Sequence, residues 1–218
     1  EKLIKACDVA FGLPYEEISL QATHKQRIGL NISGLLYNGG YDGTNQFGLT
    51  LDYKALINNI VQTIVSNPDY ELHLIGHVNS ATFAVEDDYR VIIEISKAYP
   101  SVHVAPKFRS PSDAKSYIAK MDYFSGGRMH ACIAAFSAGV PVIPMAYSRK
   151  FNGLFGSLGY NHIIDLKQDT ILIAYDKFFN DLGRLDQLKI QIKSCNQEAK
   201  KRLDNYTKVL RDTIIEID

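Results

Sequence analysis

The stretch DYFSGGRMHACIAAFSAGVPVIPM, residues 122–145, decides the fold. It contains a short apolar run that ends at about Ser125, two glycines, a helix-like run of small residues up to Gly139, and a second apolar run, Val140–Met145. A strand, a helix and a strand in this order are typical of a βαβ unit in a parallel sheet. The stretch therefore predicts a parallel α/β fold.

The same alternation extends along most of the chain. The predicted strands are Arg27–Ile32, Glu71–Gly76, Val102–Ala105, Tyr123–Ser125, Val140–Met145 and His162–Ile164. The predicted helices between them are Leu51–Ser66, Glu86–Tyr99, Ser112–Lys120, Met129–Ala138 and Lys150–Leu158. Residues 170–218 have no strand pattern, and their helical spacing predicts one or two helices over the sheet. We therefore expect an α/β, doubly wound parallel sheet, Rossmann-like, with ligands at the carboxyl ends of its strands.

The composition indicates one domain whose function depends on local chemistry. The 218 residues include 24 Lys and Arg and 24 Asp and Glu, so no overall field attracts nucleic acid or an anionic membrane. Cys7, Cys132 and Cys195 form no C-x-x-C pattern, which is typical of reduced thiols in a cytoplasmic protein. No apolar run approaches the roughly 20 residues of a transmembrane segment, and the first residues do not resemble a secretion signal.

Within the first stretch, two cationic side chains predict an anion site. Gly126 and Gly127 permit a tight turn that brings Arg128 and His130 to the amino end of a helix. Backbone N–H groups there favour an anion, and an arginine adds bidentate binding of carboxylate or phosphate. The two side chains converge only if the helix begins at or after Met129. The alternative is an ion pair between Arg128 and a carboxylate, with a His130 that caps the helix or packs internally.

The following strand brings further cations to the same edge of the sheet. It ends before Tyr147, Arg149 and Lys150. Because adjacent parallel strands end at one edge, these residues favour a bound dianion over the ion-paired alternative. Lys150 taken alone would be a solvated surface residue.

Other strand ends offer weaker candidates. Asn31 is either a substrate contact or a residue that satisfies the backbone. The loop YNGGYDGTNQFG, residues 37–48, lacks the G-x-G-x-x-G spacing and the P-loop lysine, so a flexible surface loop is the simpler interpretation. His77 has a position suited to a ligand, whereas His73 is expected to be a hydrogen-bonded structural residue without enough partners for a zinc site.

At these residues the sequence resembles the polysaccharide pyruvyl transferase family. The resemblance rests on SGGRMHACIAAFSAGVPVIPMAYSRKFNGLFGSLG, residues 125–159, with the family's R-[LM]-H-A helix start, G-V-P strand and Y-x-x-K-x-x-G segment. It extends through RIGLNIS, through GHVNS with the pair Asp87–Asp88, and through CDVAFGLPYEE, which is similar to the family's connector between two halves. Val9 is a departure, because the connector usually has a proline there.

The resemblance implies a domain organisation. Residues 1–26 would be a connector and packing segment from an amino-terminal half that is missing here. Residues 27–218 would be the Rossmann-like donor-binding domain with a helical carboxyl-terminal tail. The chain is thus expected to be the carboxyl-terminal half of a GT-B-like two-domain fold.

The resemblance also implies a reaction and its residues. An enolpyruvyl-derived group passes from phosphoenolpyruvate to two hydroxyls of a sugar in a cell-surface polysaccharide, which forms a pyruvate ketal and releases phosphate. Arg128 is assigned to the donor carboxylate or phosphate, His130 to donor binding or proton transfer, and Lys150 to the phosphate. Further substrate contacts are expected from His77, Asn31 and Tyr147, and Asp88 is expected to cap the helix near Glu86.

The implied partners are phosphoenolpyruvate and a glycan acceptor, without nucleic acid. No metal and no other cofactor is implied, and contact with a lipid-linked glycan at the membrane would be peripheral. Two other function classes stay open. One is a nucleotide-sugar-dependent GT-B glycosyltransferase, which should carry a ribose-binding carboxylate; Asp165 lies in an ordinary turn context. The other is a non-catalytic domain that binds an acidic metabolite or a partner protein.

Overall fold

The computed structural model describes residues 5–215, and the side chains of residues 5–213. Its centre is a six-stranded sheet. The strands are β1 (Gln26–Asn31), β2 (Tyr70–Leu74), β3 (His103–Val104), β4 (Tyr123–Gly126), β5 (Val142–Ala146) and β6 (Ile164–Asp165). The helices are α1 (Gly34–Tyr37), α2 (Tyr53–Ser66), α3 (Asp88–Ala98), α4 (Pro111–Ile118), α5 (Met129–Ser137), α6 (Arg149–Ser157), α7 (Ile171–Leu182) and α8 (Leu185–Ile215).

The strand order locates the edge at which ligands are expected. All neighbouring strands are parallel, in the order β3-β2-β1-β4-β5-β6. The direction of winding reverses between β1 and β4, where Asn31 lies beside Gly126 at the carboxyl ends of the two strands. Connections that leave a parallel sheet in opposite directions open a crevice at this point. The predicted doubly wound, Rossmann-like sheet is confirmed.

Helices on both faces explain why the central strands are apolar throughout. Tyr123 and Phe124 in β4 have no exposed surface, as expected for a parallel strand covered on both sides. The aromatic ring of Phe136 in α5 packs edge-on against Phe11 and Tyr160, with centroids 5.8 and 5.0 Å away. The carboxyl-terminal end of α5 is therefore anchored in the core.

Helix caps explain most of the helix starts. Ser110 accepts a hydrogen bond from the amide of Asp113 at 3.1 Å, and Pro111 is the first residue of α4, as the sequence predicts. The prediction that Asp88 caps α3 is wrong. Asp87 is the N-cap, because its carboxylate accepts from the amide of Tyr89 at 2.9 Å. Asp88 is the first residue of α3, and its carboxylate is available for contacts outside the helix.

The carboxyl-terminal region forms two helices, as predicted. The face of α8 toward the core consists of buried residues at helical spacing: Leu185, Leu188, Ile192, Cys195 and Ala199. No helix within residues 5–215 combines the length and apolarity needed to cross a bilayer.

The residues before β1 also pack on this core. A 3-10 turn, Val9–Gly12, contacts α5 and α8. Lys115 is buried in α4 and donates to the carbonyl of Leu13 at 2.8 Å. Ser116 accepts from the amide of Glu16 at 2.9 Å. These contacts hold the segment along α4 and α5, beside the crevice.

Candidate functional site

A single buried carboxylate, Asp88, joins the loops that follow three strands. Its Oδ1 accepts from the amide of Gly34, after β1, at 2.9 Å. Its Oδ2 accepts from the amides of His77 and Val78, after β2, both at 3.0 Å. The guanidinium of Arg128, after β4, lies 2.8 Å from Oδ1. Because Asp88 has no exposed surface, its charge is satisfied entirely within the protein, and the loops share one anchor.

Asn31 supplies a second link between the same loops. Its Oδ1 accepts from the amide of Arg128 at 2.9 Å, and its Nδ2 donates to the carbonyl of Ile75 at 2.9 Å. The side chain is fully buried. A direct contact of Asn31 with a sugar was expected, but the side chain has no exposed surface for it. Asn31 satisfies the backbone and fixes the turn between β4 and α5, which is the alternative that the sequence left open.

The two glycines of this turn are required by close packing. Neither Gly126 nor Gly127 has a positive φ, so the expected conformational reason does not apply. A Cβ on Gly126 would lie 2.6 Å from the Cβ of Asn31, and one on Gly127 would lie 3.0 Å from Cδ1 of Leu36. The glycines let β1 and its loop approach the turn that carries Arg128.

Arg128 satisfies the geometric condition derived from the sequence, but its charge is balanced within the protein. It is the N-cap residue, with φ −97° and ψ 118°, and α5 begins at Met129. Its Nη2 donates to Asp88 and, at 2.8 Å, to the carbonyl of Glu86. Its side chain is 14% exposed. Arg128 thus adopts the ion-paired alternative. Of its three side-chain nitrogens, only Nη1 makes no hydrogen bond to a described residue. Direct binding of the donor by Arg128 stays a prediction, and it would use Nη1.

His130 takes no part in this ion pair and lines a cavity. It is the second residue of α5, its side chain is 58% exposed, and its Nε2 lies 3.6 Å from Oδ2 of Asp8. It neither caps the helix nor packs internally. The cavity, of about 400 Å³, is lined by His130, His77, Asp8 and Ala134 among others. The structure therefore brings the two histidines to one concave place.

His77 is the more enclosed of the two histidines. Its Nδ1 is buried and has no hydrogen-bond partner among the described residues. Burial lowers the pKa of His77 from its usual 6.5, although the nearby Asp88 carboxylate opposes the shift. His77 is therefore mainly neutral at pH 7 in the free protein.

The third predicted cation lies at the same sheet edge but on the surface. Lys150 is exposed in the first turn of α6, next to the exposed Arg149. Tyr147 is half-buried, with its ring 5.2 Å from Phe47 and 5.8 Å from Phe151 between centroids. The expected convergence of three cations on one spot is thus only partly realised: Arg128 is in the ion pair, His130 lines a cavity with His77, and Lys150 is exposed.

Two other sequence expectations can be compared with their contacts. His73 is a structural residue, as predicted, because its ring nitrogens hydrogen-bond Tyr117 Oη at 2.8 Å and Glu71 Oε1 at 2.7 Å. In the described part of the chain no three His, Cys, Asp or Glu side chains are placed to hold a metal ion. The loop of residues 37–48 is tied to the crevice, since Tyr41 Oη donates to the carboxylate of Glu86.

Asp88 is the site residue whose role the sequence did not predict. A signal was present in the adjacent Asp87 and Asp88 at a helix start, because only one of two neighbouring aspartates can be the N-cap. Asp8 was also missed, since it lies in the segment before the first strand and approaches His130 only after folding.

The fold defines the class of the protein. The α,α-trehalose 6-phosphate synthase from Burkholderia multivorans superposes with a TM-score of 0.53 and 8% identity, over 96% of this chain and 45% of that chain. The spinosyn rhamnosyltransferase SpnG gives 0.52 and 11% over 86% and 46%, and the glycotransferase of kitacinnamycin gives 0.50 and 14% over 86% and 42%. These likenesses show the fold alone, and the chain spans less than half the length of each. The protein has a Rossmann-like domain of the GT-B type.

Its family is shown by the sequence. The family described as polysaccharide pyruvyl transferase matches residues 2–149, which is more than half of the chain, and the protein belongs to this family. The match ends at Arg149, so Lys150 lies beyond it. Among proteins with a curated function, none matches the sequence.

Proposed function

We propose that the protein transfers the enolpyruvyl-derived group of phosphoenolpyruvate to a sugar and forms a pyruvate ketal. The observation that carries the proposal is the exposed His130 in the first turn of α5, which lines a cavity together with His77. The cavity lies beside the switch point of the sheet, where the direction of winding reverses between β1 and β4. Family membership supports the reaction class. The acceptor is a sugar of an exopolysaccharide or capsule, and the reaction takes place at the cytoplasmic side of the cell envelope.

The reaction sets the chemical demands on the site. A proton adds to the methylene carbon of the donor, and a sugar hydroxyl adds to the neighbouring carbon as it loses its own proton. A second hydroxyl then displaces phosphate, and its proton leaves with the phosphate. The sum is one phosphoenolpyruvate and one diol, giving one ketal and one inorganic phosphate. The site must therefore deliver one proton, accept others, and bind two anionic groups.

His130 is the proposed proton donor to the methylene carbon. An imidazole suits proton transfer near neutral pH. Oδ2 of Asp8 lies 3.6 Å from Nε2 of His130, so a carboxylate adjoins the proposed proton donor. His77 is enclosed and mainly neutral, so its proposed role is to contact the substrate as a hydrogen-bonding group.

The donor's charge is proposed to be held at the amino ends of α5 and α6. Backbone N–H groups at such ends favour carboxylate and phosphate. Nη1 of Arg128 adds a donor at α5, and Lys150 adds a cation at α6 for the phosphate. Asp88 balances the charge of Arg128. The proposed contribution of Arg128 is therefore a directed hydrogen bond from Nη1 rather than net positive charge. Tyr147 is proposed to contact the substrate between these two helix ends.

The acceptor pocket is proposed to be shared with a second half of the protein. In this proposal residues 1–26 connect to an amino-terminal half, and residues 27–218 are the donor-binding domain. The segment before β1 borders the His130 cavity through Asp8, Val9 and Leu13, which supports a role for the proposed connector next to the chemistry.

Turnover of the intact protein tests the proposal. Phosphoenolpyruvate is supplied with a panel of free and lipid-linked glycans, and inorganic phosphate and the mass of the glycan are followed. We expect release of phosphate together with a mass gain on one class of glycan. Thermal stabilisation provides the second measurement: phosphoenolpyruvate should raise the melting temperature, whereas UDP, GDP and CMP should not. The reverse pattern would replace the proposal with a nucleotide-sugar glycosyltransferase, and stabilisation by neither group would favour a non-catalytic domain.

A further inference from the structure

A second cavity lies on the other side of His77. It has a volume of about 320 Å³, and its lining includes Gly76, His77, Asn79, Arg109 and Ser110. His77 and Pro111 line both this cavity and the one that contains His130. The two cavities therefore adjoin at the enclosed imidazole, and a ligand in one is close to a ligand in the other.

The second cavity carries a positive charge that forms no ion pair with the side chains of residues 5–213. Arg109 is exposed and forms no ion pair with any residue in the described range 5–213. Lys107 donates to Oδ1 of Asn79 at 3.0 Å, which ties a second cation to the cavity wall. Asp88, the buried carboxylate that accepts from the amide of His77, is already occupied by Arg128 and three backbone amides.

The segment that presents these cations is held in place. Tyr89 Oη donates to the carbonyl of Pro106 at 2.6 Å, immediately before Lys107. Nζ of Lys107 lies 5.4 Å from the centroid of the Tyr89 ring. On the other side, Ser110 caps α4, whose amino end adds a partial positive charge. The backbone is thus held on both sides of Arg109, by the hydrogen bond to Pro106 and by the cap at Ser110.

We propose that Arg109 and His77 form an oxyanion subsite, with Lys107 behind Asn79, that holds a phosphate or carboxylate group of a ligand whose reacting part lies beside His130. The identity of that ligand rests on the proposed function, and two sources fit the chemistry. One is the second anionic group of phosphoenolpyruvate, and the other is an anionic group on the acceptor glycan. An arginine fork and an ammonium suit both oxyanions.

The balanced charge of Arg128 gives a further cationic contact a role. Phosphoenolpyruvate carries a carboxylate and a phosphate, and the amino end of α5 with an internally paired arginine offers little net positive charge. Arg109 adds positive charge to a cavity that the same histidine lines. A bound anion next to His77 also favours the protonated form of its ring.

Phosphate titration of the intact protein, labelled with ¹⁵N at histidine, tests the subsite directly. The charged or titratable groups that influence His77 are Asp88, His130 and Arg128, and they stay unchanged in the variants below. Inorganic phosphate is expected to raise the pKa of His77 in the wild type. Arg109→Ala should weaken phosphate binding by about tenfold and remove the rise, since a charge-assisted contact is lost. Lys107→Ala should show a smaller effect.

Arg211→Ala is the matched control, because it removes the charge of an exposed arginine on α8. This variant should bind phosphate like the wild type. The subsite is overturned if phosphate leaves the pKa of His77 unchanged, or if Arg109→Ala and Arg211→Ala bind phosphate equally. The source is decided by repeating the titration with phosphoenolpyruvate and with a hexose phosphate: Arg109→Ala should weaken whichever ligand uses the subsite. An Arg109-dependent phosphate effect without phosphoenolpyruvate turnover would support the subsite and contradict the proposed function. Turnover of phosphoenolpyruvate that is unaffected by Arg109→Ala would support the proposed function and contradict the subsite.

Discussion

Arg128 and Asp88 form an ion pair across the switch-point crevice, with Nη2 and Nε of the arginine 2.8 and 3.2 Å from the same carboxylate oxygen. The carboxylate is fully buried. Because Asp88 also binds amides after β1 and β2, the pair fixes the start of α5 relative to two other loops. Removal of one partner from such a pair leaves the other charge uncompensated, which is far more costly than the net value of the pair.

Asp88→Asn tests this anchor. We expect the free energy of unfolding to fall by about 3 kcal/mol, because Arg128 loses its counter-charge and the amides lose an ionised acceptor. Urea denaturation measures the change. Asp87→Asn is the neighbouring control and should cost less than about 1 kcal/mol, since asparagine is an equally good N-cap. Equal losses in the two variants would show that Asp88 is not the anchor.

The close packing of the β4–α5 turn predicts opposite effects for two glycine substitutions. Gly126→Ala should lower the free energy of unfolding by about 1–3 kcal/mol, because its Cβ would lie 2.6 Å from the Cβ of Asn31. Gly153→Ala lies inside α6 with no heavy atom within 4 Å of the new Cβ, so it should raise stability by about 1 kcal/mol. Thermal melts distinguish the two. An unchanged melting temperature for Gly126→Ala would mean that Asn31 can move away from the new Cβ without loss of stability.

The proposed proton transfer predicts a separation of kinetic constants. His130→Gln should lower kcat by about 100-fold or more while the KM for phosphoenolpyruvate changes little, since a glutamine cannot deliver the proton. Phosphate release measures both constants. His24→Gln, at an exposed histidine before β1, should behave like the wild type. A raised KM with an intact kcat would instead make His130 a donor-binding residue.

The buried histidines predict a loss of stability in mild acid. Burial lowers the pKa of both His73 and His77 in the folded protein, whereas the unfolded chain titrates near 6.5. Below about pH 6.5 the unfolded state therefore binds more protons, and the free energy of unfolding falls as the pH drops toward the lowered folded values. Urea denaturation at about pH 7.5 and 5.5 measures the fall. His77→Gln should make it smaller; an unchanged fall would place the proton uptake elsewhere.

The order of strands and helices could be predicted from local patterns. The central strand β5 could be predicted because Val140–Met145 is a short run without polar residues, and the main helices could be predicted because their apolar residues recur at helical spacing. The position of Arg128 and His130 at a helix start could be predicted for the same reason. The GHVNS and SGGRMHA segments could also be placed at one edge, because parallel strands end together.

What the sequence alone determined, then, is the Rossmann-like sheet, its family and the edge that carries the cations. What only the tertiary structure decided is where those side chains point. The partner of Arg128 lies 40 residues earlier in the chain, and that of His130 comes from the segment before β1. Arg109 lines a cavity with His77 although the two residues follow different strands. Local sequence patterns report which face of an element is buried, whereas the choice among distant carboxylates, amides and cavities depends on how loops pack once the sheet has formed.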